Sequence, residues 1–155
     1  MMRRMSKAGL VLALAANGLA ANALAAPAHS APLRHLDLVE RAATDTVSLH
    51  GGAGADNVGD VLTFANPVYD AGNTQVLGQD HGYCVRLVVG KSMECHWTLM
   101  LQHGQIMADG PVYDSADTLM AITGGTGAYR GVRGEVLIHV RDAKATAYDF
   151  HYRLQ

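Results

Sequence analysis

The sequence predicts an all-β protein of about eight short antiparallel strands, arranged as a barrel or a sandwich. Apolar and polar residues from Arg34 onward alternate closer to every second position than to the helical repeat. Clusters of Gly, Asp and Asn separate these runs at regular intervals, as turns do. No segment after the N-terminal region keeps a helical period for more than two turns. A barrel is favoured because closure leaves no exposed sheet edge.

Composition narrows the functional classes before any motif is considered. The chain has 155 residues, a formal net charge of −2, 49% hydrophobic residues and 17% charged residues. A disordered chain would carry more charge and fewer apolar residues. A dedicated nucleic-acid binder would carry a basic excess, because neutralising phosphates supplies most of its affinity. We therefore expect one folded domain that binds no nucleic acid.

The first residues have the pattern of a secretory signal. Three basic residues precede an apolar run over residues 8–16, and Ala23-Leu24-Ala25 has the form that signal peptidases accept. The run is too short to cross a bilayer of about 30 Å. We predict a signal peptide at residues 1–25, a flexible mature N-terminus at 26–34 and a barrel domain at 35–155. The mature protein is then secreted or periplasmic and has no membrane span.

The strands can be placed in chain order from the period of two. Leu62, Phe64 and Asn66 share one face of an early strand. Near the C-terminus, Tyr148 and alternate residues up to Leu154 give the clearest pattern of a half-buried strand. The other candidate strands cover residues 83–89, 93–101, 105–110, 118–123 and 135–141.

The two cysteines, Cys84 and Cys95, lie on consecutive candidate strands. With a tight turn at Gly90-Lys91 they would be diagonal neighbours on one face, and a register shift of two residues would place them directly opposite. Either register permits a bridge. Because export leads to an oxidising compartment, we predict a Cys84–Cys95 disulfide, with two buried thiols as the alternative.

A glycine-rich segment over residues 122–131 resembles the phosphate-binding loop of dinucleotide enzymes. Such a loop must open a helix within a βαβ unit. Here Gly131-Val132-Arg133-Gly134 and a strand follow instead, and too little chain remains for a Rossmann domain. We interpret the segment as a structural turn.

Four motifs follow one another along the chain: Gly59–Tyr69, Gly78–Cys84, Gly110-Pro111 and Asp117–Gly127. Together they resemble allene oxide cyclase, and the resemblance covers Leu36 to Leu154, nearly the whole mature chain. It implies an eight-stranded antiparallel calycin-like β-barrel with an elongated apolar cavity, no metal or organic cofactor, and commonly a homotrimer. Residues 128–134 are closer to the related dirigent proteins.

The resemblance also assigns candidate site residues. Glu40 matches the catalytic Glu, whose carboxylate stabilises positive charge as an epoxide opens. Asn66 matches an Asn that holds a water near the epoxide oxygen. Three positions differ from the family pattern: a second water-holding Asn is Ala42, an expected Pro is Leu49, and a cavity Tyr is Val112. Substrate contacts are assigned to Ser48, Leu62, Phe64, Cys84 and Val112, with Tyr113 beside the last.

The residues themselves allow plainer interpretations. Glu40 could be a solvated charge at a strand end, and Asn66, before Pro67, could be a turn residue. Trp97 shares a face with Cys95 and other apolar residues, so core packing is its first interpretation and a ligand contact its second. The histidines lack the spacing of a metal site, so we predict no metal.

Three functions remain open. The first is a cyclase or isomerase that folds a fatty-acid-like or polyketide-like substrate into one productive shape. The second is a dirigent-like guide that orients phenolic intermediates made by another enzyme. The third is a secreted binding module for a small hydrophobic ligand. We favour the first, with a small apolar substrate as its partner.

Overall fold

The computed structural model describes residues 34–51 and 56–155, and its regular structure is almost entirely β. The predicted signal peptide and residues 26–33 lie outside the described residues. None of the helices described is long or apolar enough to cross a membrane. The elements are β1 (Arg34–Arg41), β2 (Thr46–Ser48), β3 (Val61–Asp70), β4 (Val76–Val88), β5 (Ser92–Leu101), β6 (Gly104–Tyr113), β7 (Thr118–Gly125), a 3-10 turn (Gly127–Tyr129), β8 (Gly134–Val140) and β9 (Ala147–Leu154).

Eight of these strands close into an antiparallel barrel, in the order β1-β9-β8-β7-β6-β5-β4-β3. The barrel closes because β1 pairs with β9 along its whole length and also with β3, where Glu40 lies opposite Val68. The short strand β2 continues along the same edge of β3, with Thr46 opposite Thr63. The predicted eight-stranded barrel is confirmed, and β2 is an addition to it.

The hairpin of β4 and β5 places Cys84 directly opposite Cys95, and the two are joined by a disulfide. Their Cα atoms lie 4.0 Å apart. The pairing of β4 with β5 shifts register between Arg86 and Val88, next to the turn. Beyond this shift the register is the one that places the two cysteines directly opposite each other. The predicted disulfide is confirmed.

Removing this disulfide should lower stability measurably. We expect the double variant Cys84→Ala/Cys95→Ala to lose about 2–3 kcal/mol of unfolding free energy, because the crosslink restricts the unfolded chain. Urea unfolding of both proteins, with and without reductant, measures the difference. Reductant should lower the midpoint of the wild type alone. Equal unfolding midpoints for the wild type and the double variant without reductant would contradict the prediction.

The glycine-rich segment after β7 is a structural turn, as predicted. The chain passes from β7 into the 3-10 turn and not into an α-helix. A Cβ at Gly125 would overlap the backbone oxygens of Tyr129 and Gln105, and Gly127 has φ of +58°. Glycine is therefore required here by close backbone approach and by a left-handed conformation.

Aromatic rings divide the barrel interior into two levels. Trp97 on β5 and Phe150 on β9 project from strands on opposite sides of the barrel, and their rings stack with centroids 5.3 Å apart. The Trp97 Nε1 donates a hydrogen bond of 3.1 Å to the Tyr152 hydroxyl. On one side of this stack Leu99 and Ile106 are fully buried in a packed core. On the other side the interior opens into a cavity.

Candidate functional site

The cavity opens at the end of the barrel where β1 ends and β3 begins. Its space, including the part open to solvent at the mouth, is about 460 Å³. Most of the lining is apolar or aromatic, and a few polar groups stand on one side. The lining residues are Glu40, Asp45, Leu62, Phe64, Asn66, Cys84, Trp97, Val112, Ile138, Tyr148 and Phe150.

Glu40 is the buried acid of this cavity. It lies near the end of β1 with only 6% of its surface exposed, so the interpretation as a solvated strand-end charge is wrong. Burial raises the pKa of Glu40 to about 7; the hydrogen bond from Asn66 lowers that pKa, and the charge of Asp45 raises it. Near neutral pH the carboxyl therefore exists in both protonated and ionised forms, as a proton-transfer group requires.

Asn66 fixes the polar side of the cavity through five hydrogen bonds. Its Nδ2 donates to Glu40 Oε1 at 2.8 Å and to Asp45 Oδ1 at 2.7 Å. Its Oδ1 accepts from the backbone N–H groups of Ala43 and Thr44 and from the Thr44 hydroxyl. Asn66 is 1% exposed in the middle of β3, so the interpretation as a turn residue is wrong. Because both ends of the amide are occupied, Asn66 acts as a positioning residue.

Replacing Asn66 should affect stability and the acid together. We expect Asn66→Ala to cost about 3 kcal/mol, because buried partners lose their hydrogen bonds. The pKa of Glu40 should rise further, since the bond from Asn66 lowers it. Urea unfolding and carboxyl-region NMR titration measure the two effects, with the outward-facing Thr63→Ala on the same strand as the control. An unchanged Glu40 titration would contradict the prediction.

Three aromatic side chains form the walls and floor of the cavity. A Cβ at Gly82 would lie 2.6 Å from the Trp97 Cβ and 2.6 Å from the His96 backbone oxygen, and it would also overlap the Phe64 ring. Glycine at this position therefore lets the Phe64 ring rest on β4 beside Trp97. Phe150 completes the floor from the opposite side.

Tyr148 supplies a second polar group close to Glu40, which it faces across the β1–β9 pair. Burial raises the pKa of Tyr148, and the charges of Asp45, Glu40 and Asp142 raise it further. The phenol therefore keeps its proton at neutral pH and can donate a hydrogen bond to a molecule in the cavity.

The structure places most of the residues that the sequence assigned to the site around this cavity. Glu40, Asn66, Leu62, Phe64, Cys84, Trp97 and Val112 all line it. Trp97 also belongs to the core, in agreement with its first interpretation, and the Cys84 sulfur is held in the disulfide.

Two residues assigned to the substrate lie elsewhere. Ser48 is exposed on β2 and does not line the cavity. Tyr113, at the end of β6, is 47% exposed and also lies outside the lining. Strand alternation explains the second case, because Val112 points inward and its neighbour must then point outward.

Sequence reasoning missed four lining residues. Tyr148 and Phe150 already stood on one face of the clearest predicted strand, so the alternation could have assigned them to the cavity. Ile138 lies opposite Phe150 on β8. Asp45 lies in the loop after β1, where no periodic pattern indicates which way a side chain points.

A second acid, Asp80, is buried deeper in the barrel. It lies on β4, directly opposite Asn66 on one side and Leu99 on the other, and it is 0% exposed. Its two carboxyl oxygens accept no hydrogen bond from any described group. Burial, and then the charge of Glu40, raises the pKa of Asp80 well above its usual value. Burial without a hydrogen-bond partner therefore favours the protonated form of Asp80.

Among residues 34–51 and 56–155, no three His, Cys, Asp or Glu side chains come together in a way that could hold a metal ion. The cavity brings together two carboxyls, of which Glu40 has its pKa raised to about 7, one phenol, one amide and a mostly apolar and aromatic lining.

Comparisons with known proteins agree with this geometry. The family model of allene oxide cyclase matches residues 27–150. A solved pyocyanin demethylase is 26% identical, with a TM-score of 0.64, and the match covers 79% of this chain and 100% of that one. A pterocarpan synthase dirigent protein is 16% identical (TM-score 0.70; 79% and 94% covered). An exo-specific intermolecular Diels-Alderase is 17% identical (TM-score 0.57; 78% and 98% covered). The last two likenesses show the fold alone.

Proposed function

The chain belongs to the allene oxide cyclase family, and on that premise we propose that it catalyses a stereocontrolled cyclisation or isomerisation of a small apolar molecule, with Glu40 as the acid. The observation that carries the proposal is a buried carboxyl with a pKa of about 7 on the polar side of a mostly apolar cavity that opens to solvent. A buried acid with a pKa near the working pH is suited to donating and recovering a proton.

In such a reaction the Glu40 carboxyl alone can both donate the proton and take it back. Asn66 holds Oε1 of Glu40, and no described group donates a hydrogen bond to Oε2. Protonated Oε2 can give its proton to an oxygen of the substrate as the ring closes or the double bond moves. The carboxyl recovers a proton when the product forms, so the elemental composition of the substrate is unchanged. Tyr148 can donate a hydrogen bond to the same oxygen.

The apolar lining would supply the stereocontrol. A reactive chain in water closes in several ways, whereas a fitted cavity holds one conformer and so lowers the entropic part of the barrier. The family match supports this class of chemistry, and the pterocarpan synthase dirigent protein and the Diels-Alderase share the fold.

The experiment uses two probe substrates that also close without an enzyme and then give racemic product. A hydroxychalcone closes to a flavanone when its phenol oxygen adds to the enone. A fatty-acid allene oxide, made in the assay by an allene oxide synthase, closes to a cyclopentenone. Chiral chromatography measures the enantiomeric excess. We expect the wild type to give an excess with at least one probe, and Glu40→Gln to abolish it.

The matched control is Glu135→Gln, which changes a half-exposed carboxyl on the outer wall of β8. It should keep the enantiomeric excess of the wild type. Racemic product from both probes with the wild type would overturn the catalytic proposal. An excess that survives Glu40→Gln would mean that the cavity walls suffice without the acid, as in a dirigent-like guide, and would overturn the role of Glu40.

We also propose that the protein works outside the reducing cytoplasm. The disulfide supports this, because such bonds persist mainly in oxidising compartments. Fractionation of expressing cells, followed by alkylation of free thiols, tests it. Protein with alkylated thiols in the cytoplasm would overturn the proposal.

A further inference from the structure

The floor of the cavity limits the shape of what it can hold. We propose that the cavity selects a compact, planar ring system over an extended chain, and that Trp97 and Phe150 set this limit. The inference names the substrate class of the site and rests on the proposed function.

The distance from the mouth to the floor is short. Trp97 lies opposite Ala108 on β6, and Val112, at the mouth, lies four residues further along the same strand. Four residues of strand span about 13 Å. The depth along the barrel axis is smaller, because barrel strands are tilted. A long linear chain would have to leave by the mouth or fold back on itself.

Among the described residues, packed apolar side chains fill the barrel below the floor. The stacked rings of Trp97 and Phe150 bridge strands on opposite sides of the barrel, and the hydrogen bond to Tyr152 fixes the indole. Beneath them, Leu99 and Ile106 are fully buried. Deepening the cavity would therefore require moving a hydrogen-bonded ring into a filled core, which close packing resists.

The walls favour flat molecules. The Phe64 ring rests on β4 because Gly82 has no side chain, so one wall is an aromatic surface continuous with the Trp97 floor. Aromatic rings gain a stacking contribution beyond the area they bury, which a flexible alkyl chain does not gain. Glu40 stands on the polar side and can donate to an oxygen carried by such a ring.

The test compares two neutral ketones with the same number of carbon atoms, planar fluorenone and linear tridecanone. Calorimetry gives both affinities, and the fluorescence of Trp97, the one tryptophan of the chain, reports whether the ligand reaches the floor. We expect fluorenone to bind about tenfold more tightly, in line with one stacking contact, and to quench Trp97. Equal or tighter binding of tridecanone, or no binding of either ketone, would overturn the proposal.

Variants of the floor sharpen the test. Phe150→Leu should reduce or reverse the preference for the ring, because it removes the stacked face and opens space below it. Trp97→Leu, measured by calorimetry alone, should act in the same direction. The control Tyr113→Ala removes an exposed ring outside the cavity and should leave the preference unchanged. An unchanged preference in both floor variants would overturn the role given to the floor.

The two proposals fail in different ways. Stereocontrol that depends on Glu40 but appears only with the fatty-acid allene oxide would overturn the ring preference and leave the proposed function standing. A ring preference in binding, combined with racemic products from both probes, would overturn the catalytic function and retain the ligand class.

Discussion

Replacing Glu40 by Gln is expected to slow the cyclisation of the hydroxychalcone about a hundredfold or more, because general acid catalysis contributes at least that factor. Gln keeps the shape and the hydrogen-bonding capacity of the side chain but cannot transfer a proton. Since the pKa of Glu40 is about 7 and the protonated form is the active one, the wild-type rate should fall as the pH rises through that value. The rate of the variant should not follow this profile.

Initial rates at a series of pH values, corrected for the uncatalysed reaction, measure both effects. Glu135→Gln is the control and should keep the wild-type profile. A rate that rises with pH through the same region would show that the carboxylate form is active, as the resemblance to allene oxide cyclase implies. Equal rates for wild type and Glu40→Gln would remove Glu40 from the reaction.

Replacing Asp80 by Asn is expected to make the protein more stable above neutral pH and to flatten the dependence of its stability on pH. In the folded protein the pKa of Asp80 is raised, so folding favours the protonated acid. The stability that this group contributes is complete at acidic pH, below its unfolded pKa, and is lost as the pH rises towards its folded pKa. For each proton that the folded state binds and the unfolded state has released, the free energy of unfolding falls by about 1.4 kcal/mol per pH unit.

Urea unfolding at several pH values tests this for the wild type, Asp80→Asn and the control Glu135→Gln. The free energy of unfolding of Asp80→Asn should still fall with pH, because the pKa of Glu40 is also raised. Glu40→Gln should likewise reduce the dependence of this free energy on pH. Parallel curves for the wild type and Asp80→Asn would mean that folding does not raise the pKa of Asp80. Such a result would contradict the preference for the protonated form that burial without hydrogen-bond partners implies.

The sequence predicted the strands well because the barrel wall has two unlike faces. In β9, Phe150, Tyr152 and Leu154 are buried while Arg153 is exposed, and this alternation is visible in the sequence. The strand β2 was missed because all three of its residues are exposed, so it carries no alternation. The pairing of β1 with both β3 and β9 also could not be read, because a repeat along one strand does not identify its neighbours.

The candidate site was predictable where it follows strand periodicity. Leu62, Phe64 and Asn66 were assigned to one face of a strand, and all three line the cavity. The burial of Asp80 could not be inferred, because acids are rarely buried and the neighbouring residues in the sequence do not indicate an exception. The network around Asn66 depends on a loop whose path is set by the folded barrel.

Closure through β1 and β9 has a consequence for how the protein folds. The pair of His151 and Asp37, whose Nδ1 and Oδ1 lie 2.7 Å apart, joins positions 114 residues apart in sequence. Proteins dominated by such distant pairings fold slowly. The barrel therefore cannot close until β9 has been synthesised. Until then the edges of β1 and β8 that pair with β9 are unpaired and can pair with other chains. We expect refolding yield to depend on protein concentration and on chaperones, and loss of the final strand to promote aggregation.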